Sequence, residues 1–202
     1  MIAIIDYDAG NIASVQKAFQ YLNQDVIVTR NQKEILAADK VVLPGVGAYA
    51  DCMHKLKTYE LIETIHEVVK NKTPFLGICL GLQLMFDYSE EGGHIEGLSL
   101  AKGSIVRIPD KEGLKIPHIG WNSICVKEGS RLFEGIKNDS YVYFVHSYYL
   151  KAKDPEMVVA TTEYSTLIHA AIEKDNLFGC QFHPEKSGEV GLKILQNFAN
   201  VK

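Results

Sequence analysis

The chain has 202 residues, 47% of them hydrophobic and 23% charged, with a formal net charge of -4. These are the proportions of an ordinary globular protein, and the length suits one sizeable domain, expected over 1–202. The charge provides no basic face for nucleic acid, and no apolar stretch approaches the roughly 20 residues that cross a bilayer.

Met1-Ile2-Ala3-Ile4-Ile5-Asp6 lacks the charged, apolar and small-residue zones of a secretory signal. It reads as a first buried strand, and a cytoplasmic protein is expected. Gly10 breaks the chain, and Asn11 is placed to cap a helix whose apolar positions Ile12, Val15, Phe19 and Leu22 recur at helical spacing. Asp25 to Thr29 reads as a second strand. Val41-Val42-Leu43 reads as a third, closed by Pro44-Gly45-Val46-Gly47. A helix carrying Leu61, Ile62, Ile65 and Val68 leads to a fourth strand ending at Cys79. Such alternation predicts an α/β fold, with a mostly parallel open sheet flanked by helices.

The second half is richer in β-segments: Gly103 to Ile108, Ser123 to Val126, Tyr141 to Tyr149, Met157 to Thr162, Leu167 to Glu173 and Leu177 to Phe182. Turns such as Lys174-Asp175-Asn176 predict hairpins, so these strands are expected as antiparallel additions to the sheet. A last helix uses Val190, Leu192, Ile194, Leu195 and Phe198. The four cysteines form neither a CxxC pair nor a zinc pattern. Cys125 and Cys180 are expected to be buried in strands, Cys52 to be an ordinary helix or loop residue. No metal or cofactor is expected.

Cys79 has a special context. Gly77-Ile78-Cys79-Leu80-Gly81 lies at a strand-to-helix turn, with Leu82 to Phe86 reading as a short helix. This is the thiol form of the nucleophile elbow, in which flanking glycines allow a turn tight enough to push one side chain out of the sheet. Free N–H groups at the helix start and a neighbouring imidazole favour the thiolate. Downstream, Phe182-His183-Pro184-Glu185 supplies a candidate base, His183, and an acid, Glu185, to orient it. Contact between Cys79 and His183 depends on the fold, and a structural histidine is the competing reading. Pro44 to Gly47 is either a plain strand-ending turn or, through N–H groups beside Val46, an oxyanion site. Gln83 lies one helical turn beyond Cys79 and is either a substrate contact or a solvated surface residue.

Taken together, Gly-Ile-Cys79-Leu-Gly-Leu-Gln83 and Phe-His183-Pro-Glu185 resemble the class I (triad) glutamine amidotransferases. The resemblance spans nearly the whole chain. Its further marks are Asp6 to Asn11, Leu43 to Gly47, His118 to Asn122, Tyr143 to Tyr148 and His183 to Ser187. It implies a flavodoxin-like fold with Cys79 as nucleophile, His183 as general acid/base and Glu185 as its orienter. Gly45, Val46, Gly47 and Leu80 would surround the oxyanion, while Gln83, Glu91, Ser147 and Tyr148 would hold the amino-acid end of L-glutamine. Glu91 also reads as an exposed acidic turn, and Ser147 and Tyr148 as ordinary strand-end residues. Asn11, Trp121 and Lys186 would face a partner, with a core position the alternative for Trp121.

The length and the PGVG, GWN and FVHSY segments resemble the branch of that family serving histidine biosynthesis. There the implied partner is a (β/α)8-barrel cyclase, forming a heterodimer that makes imidazole glycerol phosphate and an aminoimidazole carboxamide ribotide. Service to another synthase, such as one making pyridoxal phosphate, and a non-catalytic glutamine-binding regulatory subunit stay open as alternatives.

Overall fold

The computed structural model describes residues 1–201. β1 (Ile2–Ile5) is buried at every position, as an apolar strand covered on both faces must be. α1 (Ile12–Tyr21), β2 (Val26–Thr29), α2 (Gln32–Leu36) and β3 (Lys40–Gly45) follow. Next come α3 (Tyr49–Thr58), α4 (Leu61–Lys70), β4 (Phe75–Cys79) and the one-turn α5 (Leu80–Leu84). The β-rich half comprises β5 (Tyr88–Ser89), β6 (Ile95–Glu96), β7 (Gly103–Arg107), β8 (His118–Val126), β9 (Ser140–His146) and β10 (Tyr148–Ala152). It ends with β11 (Val158–Tyr164), β12 (Thr166–Lys174) and β13 (Leu177–Cys180), before the closing α6 (Gly188–Asn200).

Hydrogen bonding joins the strands into one open mixed sheet whose parallel centre runs β2-β1-β3-β4-β13. With β13 as fifth strand this is the flavodoxin-like order 2-1-3-4-5. β12 returns antiparallel from β13 through Lys174-Asp175-Asn176, where Asp175 has φ +53°. The sheet continues through β10, β7 and β5 to β6, while β11, β8 and β9 branch from β12. Helices cover both faces. Val15, Phe19, Phe178, Leu195 and Phe198 pack α1 and α6 on one side. Leu43, Leu56, Ile65, Leu82 and Phe86 pack α3, α4 and α5 on the other. Among the described residues no helix is long and apolar enough to cross a membrane.

Three local expectations are corrected. Asn11 stands at the N-cap of α1, but its side chain makes no capping bond; its Nδ2 donates instead to Glu185 Oε1 at 3.4 Å. Cys125 is exposed, because alternation along β8 turns Ile124 into the core and its neighbour out. The segment Tyr141 to Tyr149 is two strands, broken at Ser147 so that β9 pairs with β8 while β10 pairs with β7 and β12. Cys52 is a helix residue, as expected, buried in α3 with its thiol 3.7 Å from the Val46 carbonyl.

Candidate active site

Parallel register brings three strand ends together. Gly45 of β3 lies beside Cys79 of β4, and Ile78 beside Cys180 of β13, three residues before His183. Cys79 has φ +53° and ψ -110°, an unusual backbone conformation for a residue with a side chain. The elbow closes only because its glycines are bare. A Cβ on Gly81 would stand 1.8 Å from the Leu43 carbonyl oxygen, and one on Gly77 would stand 2.6 Å from Met85 Sδ. Gly81→Ala is therefore expected to lower folding stability by about 1–3 kcal/mol and to displace the thiol. Thermal unfolding and thiol alkylation kinetics read the two effects; a variant with unchanged Tm would contradict the packing argument.

Cys79, His183, Val46, Gly47, Leu80, Gln83, Glu91, Ser147 and Tyr148 line one cavity of about 250 Å³, together with Val145 and His146. Gly45 does not reach it; it is buried behind, where a Cβ would meet Gly81 N at 2.7 Å. Cys79 Sγ lies 3.9 Å from the Val145 carbonyl and 3.8 Å from Gln181 Nε2. His183 Nδ1 donates to Glu185 Oε1 at 2.8 Å, and both side chains are buried. His183 Nε2 is buried without a hydrogen-bond partner among the described residues. Burial alone would push this imidazole down. The adjacent Cys79 sulfur and Glu185 carboxylate outweigh it and hold the ring up at about 10, so it is a cation at neutral pH. Its backbone is locked too: His183 N donates to Tyr143 O at 2.9 Å, and Ser187 Oγ donates to His183 O at 2.6 Å.

The segment carrying Val46 is held from behind. Tyr7 Oη donates to Pro44 O at 2.6 Å, and the Cys52 thiol to Val46 O. Burial first, then the neighbouring Cys52, raises the Tyr7 pKa well above the usual phenol range, so it remains a donor. Leu80 opens α5, and its N–H has no intrahelical acceptor. A thiol, an imidazolium oriented by a carboxylate, and free amide donors at one cavity can attack an unactivated acyl carbon and protonate the group that leaves.

The family model for glutamine amidotransferase class-I matches residues 3–201. The chain belongs to the class I glutamine amidotransferases. Among named relatives, the imidazole glycerol phosphate synthase subunit HisH of Caldanaerobacter subterraneus subsp. tengcongensis is 50% identical, covering 100% of this chain and 98% of that one. HisH of Methanocaldococcus jannaschii is also 50% identical, over 100% of both. A solved glutamine amidotransferase from Thermotoga maritima has a TM-score of 0.64 at 21% identity, covering 98% of this chain and 82% of that one; it shares the fold.

Within this class I amidotransferase, Gln83 is only 4% exposed, which removes the solvated-surface reading. Its Nε2 donates to Tyr148 O and to Gln181 Oε1, both at 2.9 Å. Glu91 is half-buried and accepts from Tyr49 N at 3.3 Å; burial raises its pKa. Trp121 is 55% exposed on β8, edge-on to Tyr143, whose ring also carries Lys186 Nζ at 5.9 Å. Asn11 donates from Nδ2 to Glu185 Oε1 at 3.4 Å.

Sequence reasoning missed Gln181, Tyr7 and the pair His118 and His146. Gln181 carried a readable signal, being a polar residue inside the apolar run Phe178 to Phe182, where burial demands a partner. His118 and His146 face each other across the β8–β9 register, Nδ1 to Nε2 at 3.0 Å. Burial pushes His118 down to about 4; burial, aided by the neighbouring histidines, pushes His146 down to about 3. Both are neutral when folded, whereas unfolded histidine titrates near 6.5. The unfolded chain thus binds more protons between about 6.5 and 4, and stability present above 6.5 falls with pH through that window. We expect a loss of roughly 2–4 kcal/mol between pH 6.5 and 4.5, read from urea midpoints and flatter in His118→Asn. A pH-independent midpoint would refute it.

Proposed function

We propose that this chain is the glutaminase subunit of an imidazole glycerol phosphate synthase in histidine biosynthesis. It releases ammonia from L-glutamine and hands it to a cyclase. The observation that carries the chemistry is the meeting of Cys79 with the His183–Glu185 pair in one small cavity beside Gln83. The pathway assignment rests on relatives named for that synthase at 50% identity over the whole chain.

In this reading the Cys79 thiolate attacks the side-chain amide carbon of glutamine. The tetrahedral oxyanion is received by N–H groups of Leu80 and Val46, as charge developing beside fixed donors requires. His183 then gives its Nε2 proton to the departing nitrogen, and ammonia leaves. Glu185 holds the far side of the ring, and Asn11 in turn donates to Glu185. Water, giving a proton to His183 as it attacks, hydrolyses the glutamyl thioester to glutamate and restores the Cys79 thiolate beside a protonated His183. Gln83 Oε1, whose amide nitrogen is committed elsewhere, and the Glu91 carboxylate are acceptors for the substrate ammonium.

Ammonia released into neutral water is protonated and loses its nucleophilicity, so a partner must receive it directly. The outer face of the β8–β9 hairpin suits one. Ile119, Trp121 and Tyr141 are 59%, 55% and 59% exposed on alternate positions of paired strands, next to Lys186. We assign this face to a (β/α)8-barrel cyclase in a heterodimer, where imidazole glycerol phosphate and an aminoimidazole carboxamide ribotide form. Four free cysteines fit the reducing cytoplasm. The deciding experiment treats the protein with an electrophilic glutamine analogue. Activity should fall in step with a single adduct at Cys79. Full activity after complete labelling, or no adduct, would sink the reading.

A further inference from the structure

The Tyr148 carbonyl oxygen receives two donors, His146 Nδ1 at 2.9 Å and Gln83 Nε2 at 2.9 Å. A carbonyl only accepts, so His146 carries its proton on Nδ1. In the neutral ring Nε2 is then bare, and it accepts from His118 Nδ1 at 3.0 Å. His118 Nε2 is bare in turn and accepts from Asn122 Nδ2 at 3.4 Å. One carbonyl thus dictates the direction of every bond behind it. Packing fixes the rings, with His118 stacked on Tyr164 at 3.9 Å and on Phe144 at 4.7 Å. Asn122 is anchored too: its Nδ2 also donates to Glu163 O at 3.0 Å, and its Oδ1 accepts from Ser123 N at 2.9 Å.

On the other side of Tyr148, both Gln83 amide protons are used, one on Tyr148 O and one on Gln181 Oε1. Gln181 Nε2 then points to Cys79 Sγ at 3.8 Å. The Gln83 amide could in principle be flipped, which would turn donors into the cavity and its oxygen against the Tyr148 carbonyl. The Tyr148 oxygen, pinned by His146, forbids that.

We propose that His118 and His146 are positioning residues for glutamine: through the Tyr148 carbonyl they fix the Gln83 amide with its oxygen toward the cavity, where it accepts from the substrate ammonium. This rests on the reading of the cavity as a glutamine site. The effect is on recognition: neither ring is hydrogen-bonded to the Cys79 sulfur, whose contacts are Val145 O and Gln181 Nε2, although His146 itself borders the cavity.

The test measures glutamine kinetics for the full chain with its cyclase, and glutamine binding by calorimetry in a Cys79→Ala background. His146→Leu should raise KM and Kd about tenfold, the scale of one lost hydrogen bond, with kcat changed less than about threefold. His146→Asn, whose Nδ2 replaces the ring N–H toward Tyr148 O, should return KM to within about threefold of the unmodified value. Nitrogen NMR on the unmodified protein should find both His118 and His146 protonated on Nδ1, which tests the chain of bonds even if the leucine variant fails to fold. The opposite tautomer at either ring, an unmoved KM in folded His146→Leu, or asparagine no better than leucine would overturn the proposal. Absence of glutamine binding by the protein with both histidines intact would overturn the reading of the cavity and this proposal with it.

Discussion

Cys79→Ala is expected to lower glutamine hydrolysis by a factor of about 10⁴ or more, while the complex with the cyclase still makes product from added ammonium salts. The size follows from the geometry. The elbow places a single sulfur at the cavity, and the other cysteines offer no substitute: Cys52 and Cys180 are buried away from it, and Cys125 is exposed elsewhere. Without the sulfur no thioester forms, and water would have to attack an unactivated amide directly. The fold should survive, because alanine keeps the Cβ that the elbow already accommodates. Retained ammonia-dependent synthesis distinguishes loss of the nucleophile from loss of the complex. If both activities vanished while the complex still assembled, the division of labour between the subunits would be wrong.

What could be read before folding, and what could not, divides by the range of the interaction. The elbow is local: two glycines around Cys79, between an apolar strand and a helix, specify the turn wherever the rest of the chain goes. The parallel centre was readable as well, from strands buried on both faces alternating with helical patterns. Asn11 shows the limit of local rules. It occupies a cap position, yet Glu185, far along the chain, takes its amide. Cys125 shows another, since an apolar strand residue is exposed or buried according to its face. The break at Ser147 and the pairing of His118 with His146 depend on strand register and on which neighbours β9 and β10 take. Tyr7 and Cys52 act through backbone carbonyls of the Pro44 to Gly47 segment, which leaves no trace in residue spacing. The site was therefore legible where one turn builds it and hidden where several strands converge.

His183→Ala is expected to cost about 10³–10⁶ in kcat, and Glu185→Gln less, about 10²–10⁴. In the proposed mechanism the histidine moves the proton in both half-reactions, whereas the glutamate holds the ring by one bond of 2.8 Å and balances its charge. The pH profile separates those roles. In the free enzyme Cys79 and Glu185 together outweigh burial and keep His183 protonated up to about 10, so kcat/KM for glutamine should persist into alkaline solution and fall as pH rises through that value. With glutamine at 185 the carboxylate charge is gone while burial still opposes the cation, so the alkaline limb should move to lower pH. Glutaminase rates of the complex from pH 6 to about 11 would record the shift. An unmoved limb, or a loss in Glu185→Gln equal to that in His183→Ala, would mean that Glu185 does more than orient and stabilise the imidazolium.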